Sequence, residues 1–276
     1  MPFGAPLHTL IPGPSPYFRR RGSHDTRHIH LKKTKHVVIL NGSSRKATTH
    51  SLLKQIAALL EAQHIETTLI DLTDHQISDC IGCEICIRQT GRCFHADDAE
   101  QILAQFREAD GIVLASPVYV MNVAGKLKSL IDKTASWIHR PPMVGKPALL
   151  VATTAGSGLK DVLDYLEQVV IQWGAHPAGK IGRSVMQDGP VAHDEIESFI
   201  WHLNHPTSLY RPSLRQIIFY QVQKVLALKV LDIDREHWEE NGWDREAYYY
   251  RCRISPIKRW VAWAMYQILY RRVQPR

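Results

Sequence analysis

An α/β protein built on a doubly wound, five-stranded parallel sheet in the order 2-1-3-4-5, followed by a helical C-terminal extension, is the fold class that this sequence predicts. Three observations predict it. Short apolar or β-branched runs alternate with stretches of helical spacing from residue 36 to about residue 182. Polar loops follow the first, third and fourth of those runs, as ligand-binding loops do at the strand ends of open α/β sheets. Beyond residue 204 the alternation stops and long helical stripes take over. The 276 residues, 45% of them hydrophobic and 22% charged, suffice for a sizeable core and exclude a chain disordered throughout.

The expected elements run as follows. Residues 1–35 mix Pro, Gly, Arg and His without periodicity and read as a flexible basic leader. Its apolar stretch is cut by Pro12, Pro14 and Pro16 and followed by Arg19 to Arg21, the wrong order for a secretion signal. With no run of about 18 apolar residues to span a bilayer, a cytoplasmic protein is expected. The main domain, 36–204, opens with HVVIL (36–40), a strand buried on both faces. Leu52, Leu53, Ile56, Leu59 and Leu60 then define a helix, and ETTLIDL (66–72) a second strand. Asp97 and Asp98 open the next helix, acids at its positive end. GIVLAS (111–116), a helix over about 123–137, ALLVATT (148–154), a helix over 159–173 and a short strand near 178–181 complete the alternation.

In the extension, 205–276, Leu214, Ile218, Val222, Val225 and Leu226 make one helical stripe and Trp260, Trp263, Ala264, Ile268 and Leu269 another. The second stripe is expected to pack on the core or on a twin subunit of a homo-oligomer, with contact to a membrane surface as the alternative, because cations flank it. Charge is concentrated at the ends: residues 1–36 hold seven Lys and Arg against one acid, and 205–276 hold thirteen against seven, within a net +7. Without a recognised nucleic-acid motif this basicity reads as solvated charge rather than a nucleic-acid surface.

Three loops carry the chemistry. NGSSRKATTHS (41–51) leads from the first strand into a helix, where free amides, the helix dipole, Arg45 and the hydroxyls of Ser43, Thr48, Thr49 and Ser51 suit one phosphate group. Neither GxGxxG nor GxxxxGK[ST] is present, so a phosphomonoester fits better than a dinucleotide or a triphosphate. SPVYVMN (116–122) follows the third strand and brings a stiff turn and the Tyr119 ring to the same switch point. TTAGSG (153–158), with Thr154 and Gly156, offers small residues and backbone donors from the fourth.

Together these loops resemble the NAD(P)H-dependent FMN reductase family of flavodoxin-like proteins, over residues 35–182. The resemblance implies FMN, its phosphate held by Ser43 and Arg45 with Thr48, Thr49 and Ser51. It implies a ribityl and ring contact from Pro117, Val118, Tyr119 and Val120, with Asn122 a looser match. The chain reads GSSRKATTH where family members often carry GSPRxxGNT, so the family's loop glycine is missing.

Between the second strand and the following helix stand Cys80, Cys83, Cys86 and Cys93, four thiols in fourteen residues. Such clustering in a reducing compartment points to a soft metal: an iron-sulfur cluster by the tight spacing, zinc as the chemical rival, or an empty redox-active loop. The segment resembles the compact motif of the iron-sulfur flavoproteins, a branch of the same superfamily that carries a 4Fe-4S cluster near FMN. Function then reads as electron transfer from NADPH or NADH through FMN, with or without the cluster, to a small-molecule or protein acceptor; hydride transfer needs no acid or base, so no catalytic side chain is named. A flavodoxin-type carrier without hydride chemistry and a cysteine-loop redox or metal sensor are the alternatives. Cys252 reads as structural, His139 as a surface histidine, and the aromatics of 234–250 as core packing or as a cover for a partner's flavin.

Overall fold

The computed structural model describes residues 34–184, 186 and 188–274; all of the expected leader except residues 34 and 35 lies outside them. Five strands, β1 (His36–Asn41), β2 (Glu66–Asp71), β3 (Gly111–Pro117), β4 (Pro147–Thr154) and β5 (His176–Ser184), pair in parallel in the order β2-β1-β3-β4-β5. The order is the expected one. β1, β3 and β4 are central and covered on both faces, which is why their sequences are continuously apolar.

Strand side chains alternate between two layers. Val37, Ile39, Val113 and Leu149 meet Leu53, Ile56 and Leu60 of α1 (Thr48–Glu61) and Phe199 and Leu203 of α5 (Asp194–Asn204). Val38, Leu40, Leu114 and Leu150 meet α2 (Ala99–Glu108), α3 (Gly125–Asp132) and α4 (Leu159–Gln172) on the other side. α5 has no counterpart among the expected elements, although Ile196, Phe199 and Leu203 carry helical spacing. β5 is longer than expected because Pro177, Gly179 and Gly182 obscure the pattern of an edge strand. The expected single helix over 123–137 is two pieces, α3 and a 3₁₀ turn at Ala135–Ile138. Thr134 breaks it: its hydroxyl donates to the Ile131 carbonyl at 2.6 Å and accepts from Trp173 Nε1 at 2.8 Å.

The C-terminal residues form α6 (Leu214–Lys229), α7 (Asp232–Glu240) and α8 (Pro256–Arg272) around an aromatic cluster of Ile217, Tyr220, Trp238, Trp243, Tyr248 and Tyr249. The run of aromatics at 234–250 is therefore core packing within its own chain. The buried face of α6 is rotated from the expected stripe: Leu214 is exposed, while Gln216, Gln221, Gln223 and Lys224 are buried. Their polar ends are satisfied, Gln223 Nε2 by the carbonyls of Ile138 and Gln172 and Lys224 Nζ by that of Glu246, so hydropathy alone misassigns the face. The second stripe is also split. α8 packs on α6 through Ala262, whereas Trp260, Trp263 and Ile268 face outward rather than into the core.

Candidate functional site

The chain leaves β1 at Asn41 and must cross the end of β3 before entering α1. Gly42 makes that crossing: its N–H donates to the Ala115 carbonyl at 2.8 Å, and a Cβ there would stand 2.7 Å from the same oxygen. Asn41 Oδ1 then accepts from the Ser43 N–H, and Ser43 Oγ from the Arg45 N–H, which curls the loop over the sheet. Asn41 is itself held by Asp71, whose Oδ1 also meets His50 Nδ1 at 2.8 Å. Burial pushes the Asp71 carboxyl up, but hydrogen bonds from Asn41 and His50 and the charges of His50 and Lys46 outweigh it and keep it below its ordinary value. A fixed carboxylate thus anchors the loop from beneath.

α1 begins without a side-chain cap and without an acid in its first turn. Its first-turn residues Thr48 and Thr49, with Ala47, open onto a cavity of about 230 Å³. An uncapped helix start beside a guanidinium suits an anion. Pro117, Val118 and Tyr119 form the opposite wall, and the Tyr119 hydroxyl lies 3.1 Å from Ser44 Oγ, so the first and third loops touch as expected. Thr153, hydrogen-bonded to Thr49 across the floor at 2.7 Å, and Thr154 complete the crevice from β4.

The cavity brings together Ser43, Arg45, Thr48, Thr49, Pro117, Val118, Tyr119 and Thr154 of the expected residues. It leaves out four. Ser51 lies one turn along α1 and is exposed; Val120 and Asn122 sit in a reversal where Tyr119 and Asn122 bond each other's backbone and Val120 and Met121 both take positive φ; Gly156 is an exposed loop tip. Two adjacent non-glycine residues in the left-handed region store strain next to the cavity. Arg183, Ser184 and Asp188, which line the far side, come from the end of β5 and beyond. The unrecognised length of β5 hid them; a basic residue at a strand's C-terminal end was the available signal.

The second site is the cysteine loop. Gly82 and Glu84 take positive φ, a π-helical turn spans Cys86–Thr90, and Cys80, Cys83, Cys86 and Cys93 all line one cavity of about 60 Å³. Burial raises the Cys86 pKa, and the neighbouring thiols Cys93, Cys80 and Cys83 raise it further, partly offset by the Ser136 amide. Four thiolates are therefore stable together only against a cation. Among the described residues no group of three or more His, Cys, Asp or Glu converges on a point where a single ion would sit. His95 Nε2, on the cavity wall, is buried without a hydrogen-bond partner.

Lys133 ends α3 at this wall, fully buried, with Nζ 3.7 Å from Cys93 Sγ, 3.0 Å from Ser78 and 2.8 Å from Asp97. Burial pushes the Asp97 carboxyl up, but hydrogen bonds from Lys133, Ser78 and Ala99 bring it down from 3.8 to about 2. A carboxyl lowered in the folded state stabilises above its unfolded pKa and loses that contribution as pH falls through the folded one. We expect about 2 kcal/mol from Asp97 above pH ~4, lost on the way to pH ~2. Urea unfolding across that range should show a shallower acid loss for Asp97→Asn; an identical profile would remove the ion pair from the stability of the loop.

Arg140 holds the loop from the other side. Its Nη2 donates to the carbonyls of Cys86 at 3.0 Å and Ile87 at 2.9 Å, and its Nη1 to Asp234 of α7. Asp234 also meets His139 Nδ1 at 2.8 Å and is fully buried, so His139 is an interior partner and not a surface histidine. Cys252 is half-buried, its thiol pushed up to about 11 by burial, which agrees with a structural role.

A 2-1-3-4-5 parallel sheet with a polar cradle at the β1/β3 switch point defines a flavodoxin-like protein. The chain belongs to the NADPH-dependent FMN reductase family, a family of flavin oxidoreductases whose model matches residues 35–188, and within it to the iron-sulfur flavoprotein branch. It is 31% identical over 165 residues to an iron-sulfur flavoprotein of Archaeoglobus fulgidus, covering 59% of this chain and 74% of that one. It is 26% identical over 230 residues to an iron-sulfur flavoprotein of Clostridioides difficile strain 630, covering 75% of this chain and 98% of that one. Other relatives of the same name are matched over about half of their own length. A solved apo NADH:FMN oxidoreductase is 21% identical, with a TM-score of 0.46 over 63% of this chain and 92% of that one.

Proposed function

We propose that this protein is an FMN-dependent NAD(P)H oxidoreductase whose cysteine loop holds a 4Fe-4S cluster and passes electrons to a small-molecule or protein acceptor. One observation carries the reading: a single cavity runs from the uncapped start of α1, with Arg45 beside it, to the Pro117–Tyr119 wall. A phosphate at one end and a flat ring at the other match that polarity. When bound, FMN supplies two-electron chemistry with NADPH or NADH. Arg45, Ser43, Thr48 and Thr49 hold the phosphate, and Pro117, Val118 and Tyr119 form the wall for the ring.

The donor set of the loop fits the cluster. Each thiolate of a 4Fe-4S cluster binds its own iron, which suits four thiols spread around a cavity better than the shared point a structural zinc requires. Lys133 lends a positive charge to the thiolates beside Cys93. The two sites lie at opposite ends of α3, whose eight residues amount to roughly 12 Å of helix. Asp79, next to Cys80, accepts from Ser129 midway along it at 2.6 Å. The printed names of the relatives, iron-sulfur flavoprotein among them, support the same assignment.

Anaerobic purification with an absorption spectrum and iron and acid-labile sulfide assays tests both groups at once. Bound flavin and about four irons per chain are expected, with the flavin bleached on anaerobic mixing with NADPH or NADH. Flavin that neither nucleotide bleaches identifies an electron carrier; iron without flavin leaves the sensor reading. Arg45→Ala is expected to weaken FMN binding by about 1.5–3 kcal/mol, the range for a charge-assisted hydrogen bond. An unchanged titration would take Arg45 out of the phosphate site.

A further inference from the structure

α8 is apolar on two sides and needs only one of them to join the fold. Its inner side rests on α6 at Ala262, with Lys224 and Lys229 of α6 against the rings of Tyr266 and Tyr270. On the side away from Ala262, Trp260 is 66% exposed, Trp263 60% and Ile257 76%, with Ile268 beside them. Ile257, Trp260, Ala264, Ile268 and Arg271 follow one another at helical spacing along this outer side. Single exposed apolar residues are ordinary; two tryptophans and two isoleucines on one helix face are not.

The charge around the face is of one sign. Arg251, Arg253, Lys258, Arg259, Arg271 and Arg272 lie between residues 251 and 272, and that stretch contains no Asp or Glu. Lys258 Nζ is engaged by the Pro212 carbonyl at 2.7 Å, while Arg251, Arg253, Arg259, Arg271 and Arg272 are exposed. Among the described residues no helix is long and apolar enough to cross a membrane. An apolar, tryptophan-bearing face rimmed by cations lies in the plane of a bilayer surface, with the indoles at headgroup depth and the cations on anionic lipid. A second copy of the same face is a poor occupant, because apposing two acid-free surfaces brings like charges together.

We propose that the outer face of α8 docks the protein on an anionic lipid membrane surface, with Trp260 and Trp263 inserted among the headgroups and Arg259, Arg271 and Arg272 in contact with them. The proposal is independent of what occupies either site in the sheet domain.

Co-sedimentation of the full chain with vesicles of equimolar phosphatidylglycerol and phosphatidylcholine tests it. Binding is expected at low salt, with a blue shift of tryptophan emission. It should weaken as salt shortens the screening length from ~10 Å at ~0.1 M to ~3 Å at ~1 M, and be absent on phosphatidylcholine alone. Arg271→Gln with Arg272→Gln should weaken it roughly five-fold per charge, and Trp260→Ser with Trp263→Ser at least about ten-fold. All four positions are exposed, so both variants should keep the parent circular dichroism spectrum. Three results overturn the proposal: no binding to the anionic vesicles, equal binding by the tryptophan variant, or a parent dimer that the tryptophan variant dissociates without any vesicle binding.

Discussion

Asp234→Ala is expected to destabilise the protein by about 3–5 kcal/mol, because it removes the acid of a buried ion pair and leaves Arg140 uncompensated. At this chain length that amounts to a fall in Tm on the order of 10 °C. The effect should not stop at α7. Arg140 is the group that holds the Cys86 and Ile87 carbonyls, so losing its anchor frees the π-helical turn that carries Cys86. Thermal unfolding followed by circular dichroism measures the first effect. Protection of the 86–90 amides from hydrogen exchange measures the second, and it should fall in the variant before global unfolding. Asp234→Asn, which keeps an acceptor for His139, should lose less. A variant as stable as the parent would mean that the C-terminal helices do not support the cysteine loop.

Gly42→Ala should cost about 3 kcal/mol and abolish the flavin cavity as built. The new methyl group would meet the Ala115 carbonyl oxygen at 2.7 Å and Leu127 Cδ2 at the same distance, with Leu127 Cβ at 3.0 Å. Leu127 is buried in α3 and the carbonyl belongs to a central strand, so neither can retreat. The loop must lift instead, carrying Ser43 and Arg45 away from the start of α1. Urea unfolding and an FMN titration on the same preparation should both report the loss. Normal flavin affinity with lowered stability would place the binding determinants elsewhere in the cavity.

The two substitutions differ in how visible their targets are in the sequence. Gly42 lies in a loop whose placement after an apolar strand and before a helix already marks it. Asp234 lies in a run of charges and aromatics, and nothing near it in the chain points to Arg140, which is 94 residues away. The same contrast recurs in the cysteine loop. The four thiols and their spacing are sequence facts, whereas Lys133, Asp97 and Arg140 reach them from α3, the start of α2 and the turn after α3. Arg183 and Ser184 escaped notice because an edge strand punctuated by proline and glycines does not look like a strand, and so the loop after it did not look like a strand end. Ser51 shows the opposite error, since a hydroxyl in the right segment lies on the wrong side of the helix.

What the sequence determined by itself is the sheet, its order, and the two loops that chemistry would use. These follow from local signals: apolar runs of strand length, helical spacing between them, and hydroxyl, guanidinium and thiol groups concentrated at the joints. The tertiary structure alone decided three things: which hydroxyls reach the cavity, that α6 buries glutamines and a lysine, and that α8 turns its tryptophans to solvent. Periodicity records how apolar a face is. Burial of a polar side chain depends on finding a carbonyl elsewhere in the fold, as Gln223 finds those of Ile138 and Gln172, and exposure of an apolar one depends on whether another element arrives to cover it. Both depend on distant neighbours, and only the folded chain brings those neighbours together.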